Sequence, residues 1–224
     1  MFKLILFDID GTLIRTGGAG VKAFAKTFLE EYQLPHATES FSFAGRTDRR
    51  LVELLFERNN IEITPSKVEQ FFKVYLGHLA DFLPKDQTAP LEGVIPLIGA
   101  MRAWQPAPVI GLLTGNHPKG AQLKLDHYNL WHEFEIGFFG DKHLDREALA
   151  EEALEWARDR WEDITPEQIL IIGDTHRDIQ CAQAIDARVL AVATGDSTVT
   201  ELQEHNPDWT CLDLTPENIP DLSA

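Results

Sequence analysis

The chain has 224 residues, 25% of them charged and 44% hydrophobic, with a formal net charge of −16; these are ordinary proportions for a globular protein of one or two domains with a substantial core. So acidic a composition argues against nucleic acid or an anionic membrane surface as partner, because both are bound mainly through Lys and Arg. No apolar run approaches the ~20 residues that span a bilayer, the first residues run straight into a strand, and Cys181 and Cys211 are too few for a disulfide framework, so the expectation is a cytoplasmic protein with two buried free thiols.

The first element is an apolar strand over Phe2 to Phe7, greasy enough to be buried on both faces. Asp8 and Asp10 emerge where it stops, which in an open parallel sheet is where ligands bind, and Gly11 permits a sharp exit. Val21 to Tyr32 then carries apolar residues at Val21, Phe24, Ala25, Phe28 and Leu29, the spacing of an amphipathic helix. Leu51 to Phe56 and Val68 to Leu83 read the same way, and Thr64-Pro65 supplies a cap followed by Pro at the first helical position. Residues 15–85 are therefore expected to be an all-helical insert. Gly17, Gly18 and Gly20 on the way in, and Pro84 and Pro90 on the way out, are either hinges or ordinary loop residues.

A second apolar strand, Val109 to Leu113, ends in Thr114-Gly115-Asn116, where a hydroxyl and freed backbone N–H groups can form a small anion site. Trp131, Phe134, Phe138 and Phe139 read as packing beneath the sheet. Ala148 to Trp161 reads as a helix with a solvated face and a buried stripe. Thr165-Pro166-Glu167-Gln168 is a capping-box pattern, here a short turn before the strand Ile169 to Ile172. That strand ends in Gly173-Asp174, with Asp178 on the turn beyond it. Cys181 falls in the next helix and Cys211 in a late strand. His117 and His176 read as loop residues, and the histidines show no metal-ligand spacing. Outside the insert, strands and helices alternate as in a doubly wound sheet, so the expected fold is α/β: a mostly parallel, Rossmann-like core of residues 1–14 and 86–224 with a helical domain inserted at 15–85.

The run Leu4 to Thr12, with its Asp-x-Asp-Gly-Thr ending, resembles the first motif of the haloacid dehalogenase-like superfamily, most of whose members are magnesium-dependent phosphatases. Val109 to Asn116 resembles its second motif and Ile169 to Asp178 its fourth. The third is a single cation before the last strand. Arg146, at the start of the helical run as the family's cation usually is, is the first candidate, and Lys142, several residues further from Asp174, the second; the family's commoner Lys-Pro pair is absent. The order of the motifs, each at the end of an apolar run, carries the resemblance from Phe2 to about Leu214, and the helical insert is similar to the cap of phosphoglycolate phosphatase relatives.

The resemblance implies that the Asp8 side chain, the Asp10 carbonyl and Asp174 bind Mg²⁺, with Asp178 in or just outside the first shell. Asp8 would attack phosphorus, and Asp10 would serve as acid and then base. Thr114, the N–H groups of Gly115 and Asn116, and Arg146 would hold the phosphoryl oxygens. In Ala44 to Asp48, Gly45 and Arg46 would meet the substrate's leaving group; Arg46 reads equally as a surface residue, and Asp48 as the N-cap of the following helix. The implied partner is a small phosphate ester such as phosphoglycolate or a sugar phosphate. A phosphomutase on the same scaffold and a non-catalytic binding module are the alternatives, and nothing in the pattern fixes an oligomeric state.

Overall fold

Every residue of β1 (Leu4–Phe7) is buried, because the strand lies at the centre of a sheet covered on both faces. In the computed structural model, which describes residues 1–84 and 89–222, β1 is flanked by β2 (Val109–Thr114) and β4 (Ile169–Gly173), and the sheet runs β3-β2-β1-β4-β5-β6. β3 is Ile136–Phe139, β5 Arg188–Val192 and β6 Trp209–Cys211. All five pairings are parallel, so each connection must cross over, and helices supply the crossovers. Alternate side chains of one strand serve opposite faces. Ile5 and Phe7 join Ile110, Leu112, Leu170 and Ile172 against α4 (Val94–Arg102) and α5 (Pro118–His127). Leu4 and Leu6 join Leu113, Ile169 and Ile171 against α6 (Glu147–Arg160) and α7 (His176–Ala184). The expected doubly wound sheet is thus present.

Trp131, Phe134 and Phe139 pack against the first of these two cores and Phe138 belongs to the second, as expected for residues beneath the sheet. Thr165 does form a capping box with Gln168, on a single helical turn. Cys181 and Cys211 are buried free thiols. A short α8 (Val199–Gln203) precedes β6. No helix among the described residues is long and apolar enough to cross a membrane.

The insert contains α1 (Ala19–Tyr32), α2 (Asp48–Arg58) and α3 (Pro65–Phe82), close to the expected helices. Thr64 caps α3 by accepting from the Lys67 N–H at 3.3 Å, with Pro65 first in the helix. α1 starts before Val21, so Gly20 lies inside it, while Gly17 and Gly18 precede it. The three helices share a core of their own, in which the Phe71 ring lies 5.1 Å from both Phe24 and Phe28 and 5.8 Å from Phe56. The expected boundary between residues 85 and 86 falls outside the described residues.

Phe71 is fully buried, whereas Leu29 on α1 is 42% exposed. Phe71→Ala is expected to lower unfolding stability by about 3–5 kcal/mol and Leu29→Ala by less than about 0.5 kcal/mol. Urea denaturation of both variants measures the contrast, and equal losses would contradict the insert core described here.

Candidate active site

β1, β2 and β4 end side by side. The chain continues β1 by one residue, with the Asp8 N–H donating to Ile172 O at 2.9 Å, and then turns back so that the N–H of Leu13 reaches Ile9 O at 2.9 Å. Gly11 makes the turn at φ 87°, and a Cβ there would overlap the Asp174 carboxylate. The position therefore requires glycine twice, for its conformation and for the close approach. Thr12, fully buried, donates to Asp174 Oδ1 at 3.2 Å.

Asp8, Asp174 and Asp178 each offer a carboxylate oxygen, and the three atoms lie within 4.8 Å of one another. All three residues are buried. Burial pushes the Asp8 carboxyl up to about 6, with Asp178 and Asp10 adding to the effect and Arg146 opposing it. Burial, then Asp178 and Asp8, push Asp174 up to about 8. Burial and mutual repulsion thus favour protons on this pair, and an all-oxygen donor set is the kind that a hard divalent cation prefers. The donor set thus fits a hard divalent cation. Asp178 is the most constrained of the three. Its Oδ2 accepts from the Thr175 N–H at 3.0 Å and from the Thr175 hydroxyl at 2.7 Å, as in a capping box for α7, and its Oδ1 accepts from Arg146.

Arg146 is the cation brought to these acids, and Lys142 is exposed. The Arg146 guanidinium is buried between Asp178 and Asp8, 3.3 Å from Asp8 Oδ1. Burial works against its charge, but Asp178 and Asp8 outweigh that and hold it protonated well above the usual range. Its Nε is buried without a hydrogen-bond partner among the described residues.

Thr114 closes β2, fully buried, and its hydroxyl works to lower the Asp8 carboxyl against the effect of burial. The Asn116 side chain faces Asp10 rather than Asp8: its Nδ2 donates to Asp10 Oδ2 at 2.9 Å and to Thr114 Oγ1 at 2.8 Å. Gly115 is a contact point for the insert, since a Cβ there would overlap the Arg46 carbonyl, and its own carbonyl accepts from the Asp48 N–H at 2.6 Å.

Sequence reasoning missed Lys124. It is 4% exposed, and its Nζ donates to Asp10 Oδ2 at 2.5 Å and to Asn116 Oδ1 at 2.6 Å. Burial opposes ionisation of Asp10, yet Lys124, with Asn116 and Thr16, holds its carboxyl below the usual range. The available signal was positional: Lys124 shares the buried stripe of α5 with Ala121 and Leu125, where an apolar residue belongs.

Asp48 does not cap α2, which corrects the sequence expectation. Thr47 is the N-cap and accepts from the Arg50 N–H at 3.1 Å. Asp48 is the first helical residue, and its buried carboxylate accepts from the His117 N–H at 2.7 Å, with burial pushing it up to about 6. His117 is likewise more than a loop residue, since its ring caps α5 and packs 4.8 Å from the Phe72 ring. His176 opens α7 and stacks on His205 at 5.1 Å.

Gly45 and Arg46 lie on the loop before α2. The Arg46 guanidinium donates to Ser42 O and sits 5.5 Å from the centre of the Phe41 ring. Both residues line a cavity of about 780 Å³ that Asp8, Asp10, Thr114, Asn116, Lys124, Arg146 and Asp174 also line. Its other wall, from the insert, is largely apolar and includes Phe24, Phe41, Phe43 and Tyr75.

The family described as haloacid dehalogenase-like hydrolase matches residues 5–192, a span that holds all of these side chains. The chain belongs to the haloacid dehalogenase-like hydrolases. It is 23% identical over 208 residues to a phosphoglycolate phosphatase from Synechococcus elongatus, covering 92% of this chain and 91% of that protein. A phosphoglycolate phosphatase from Aliivibrio fischeri is 24% identical over 218 residues, with 92% and 90% covered. The structure of CbbY from Rhodobacter sphaeroides in complex with phosphate matches with a TM-score of 0.68 at 16% identity over 96% of each chain, a likeness that extends to the fold.

Asp8 and Asp174 bind protons more tightly folded than unfolded. Their stabilising effect is full below the unfolded value near 4 and is withdrawn as pH rises through about 6 and then about 8. Asp174→Asn is therefore expected to stabilise the metal-free protein at pH 8 and to leave it nearly unchanged at pH 4. Urea denaturation in chelator at the two pH values reads the difference; destabilisation at pH 8 would contradict the raised affinity.

Proposed function

We propose that this hydrolase is a magnesium-dependent phosphatase of a small phosphomonoester. The observation that carries the proposal is the convergence of Asp8, Asp174 and Asp178 within 4.8 Å beside the buried Arg146, next to a cavity lined by Asp8, Asp10, Asp174 and Arg146. The names of the curated relatives and the phosphate bound to CbbY support the same substrate class.

The Asp8 and Asp174 side chains, the Asp10 carbonyl and the closely held Asp178 would retain Mg²⁺. When bound, the ion supplies the positive charge that lets a phosphate dianion approach a carboxylate. A free oxygen of Asp8 attacks phosphorus, so that an Asp8 O–P bond forms as the ester O–P bond breaks, giving an aspartyl-phosphate. Thr114, the N–H groups of Gly115 and Asn116, and Arg146 bind the phosphoryl oxygens, where charge spreads in the transition state. The incoming negative charge raises the proton affinity of Asp10, so that it takes up a proton from solvent and gives that proton to the departing oxygen. It then takes a proton from the water that attacks the aspartyl-phosphate, releasing inorganic phosphate and restoring Asp8.

In this reading residues 15–85 are a cap over a core of 1–14 and 86–224, and Gly45 and Arg46 face the leaving group. Support comes from the insert's separate aromatic core and from its docking on Gly115 and His117. Phosphoglycolate or a sugar phosphate are the leading substrates, with Arg46 the candidate partner for an anionic substituent.

Release of phosphate from 4-nitrophenyl phosphate should require Mg²⁺ and should fall at least about 10³-fold in Asp8→Asn, as for loss of a nucleophile. Turnover that survives excess chelator, or that survives Asp8→Asn, would overturn the mechanism.

A further inference from the structure

Lys124 forms a closed arrangement with two neighbours. Its ammonium donates to Asp10 Oδ2 and to Asn116 Oδ1, while the Asn116 amide donates to the same Asp10 Oδ2 and to Thr114 Oγ1. A buried ammonium persists where its charge is matched, and here the match is the Asp10 carboxylate. Asp10 would otherwise be free to turn, since its side chain is 39% exposed and lines the cavity. Two donors on one oxygen remove that freedom. One donor comes from α5 and the other from the turn that joins β2 to it, so both are anchored at the carboxyl end of the sheet.

We infer that Lys124 is a positioning residue for the hydrolytic half of the reaction: through Oδ2 and the Asn116 amide it holds Asp10 as the oriented carboxylate that activates water against the aspartyl-phosphate. This rests on the phosphatase reading above, and the experiment separates the two.

The substrate is 4-nitrophenyl phosphate, whose leaving group needs no proton, turned over by the Mg²⁺-loaded full chain. For Lys124→Met, kcat is expected to fall about 10- to 100-fold, part of the contribution of a placed base. The value of kcat/KM should stay within about threefold, because it reports the steps up to formation of the aspartyl-phosphate. Nitrophenolate should then appear in a burst approaching one per chain, and acid-quench mass spectrometry should find phosphate on the Asp8 peptide. Asp10→Asn should behave alike, and the double variant should be no slower than Asp10→Asn alone. Should Lys124→Met not fold, Lys124→Gln, which keeps a donor for Asn116, carries the same comparison.

A burst in Asp10→Asn without one in the Lys124 variant, an equal loss of kcat and kcat/KM, or additive losses in the double variant would overturn the role given to Lys124. Absence of any burst in Asp10→Asn would instead strike at Asp10 as the base, and the inference would fall with it.

Discussion

Among the described residues, Asp8, Asp10, Asp174 and Asp178 meet two buried cations, Arg146 and Lys124, at the ends of β1, β2 and β4. Two like charges 4 Å apart repel by about 4 kcal/mol even at an effective dielectric constant near 20. Such a cluster is stable only where protons or a cation reduce the repulsion and where its side chains cannot turn away. The raised Asp8 and Asp174 carboxyls express the first condition. The second is met by Thr12 on Asp174, Thr175 and Arg146 on Asp178, and Lys124 with Asn116 on Asp10. The functional reading draws on that same imbalance, because an excess of oriented carboxylate is what a divalent cation binds.

The sheet makes this meeting possible. β1 lies between β2 and β4, so the chain leaves it in one direction and later returns on the other side, opening a crevice at the carboxyl ends. Into that crevice the insert presents the start of α2. The first N–H groups of a helix have no acceptor within it, and here those of Asp48 and Arg49 donate to Gly115 O and Gly140 O, at 2.6 and 3.0 Å. The Asp48 carboxylate adds the His117 N–H. The insert therefore docks with groups that α2 could not satisfy internally, which leaves the helix intact whether or not the contact is made.

What was legible in the sequence divides along a physical line. The three strands and their terminal acids could be read because a doubly buried parallel strand is a nearly unbroken apolar run, and its end shows as an abrupt change to Asp or Thr. Arg146 could be ranked above Lys142 by its place at the start of a helix. Lys124 could not, because one Lys on a helix has no local signature and its meaning depends on Asp10, which is 114 residues away. Asp48 was misread for a related reason. Thr47 and Asp48 can each cap a helix; Thr47 takes the role with extended backbone, φ −74° and ψ 147°, and frees Asp48 for a partner on α5 that no local pattern announces. The apolar wall of the cavity, with Phe41 and Tyr75 from distant parts of the insert, was hidden in the same way.

The central claim, that Asp8, Asp174 and Asp178 together form one divalent-cation site, is tested most directly by titration calorimetry of the metal-free protein with Mg²⁺ at pH 8 in buffers of different ionisation enthalpy. The expected result is one ion bound per chain with release of protons, as cation replaces hydrogen on raised carboxyls, and loss of that binding in Asp174→Asn. Mg²⁺ binding that releases no proton and is unchanged in Asp174→Asn, or no binding at all, would contradict it.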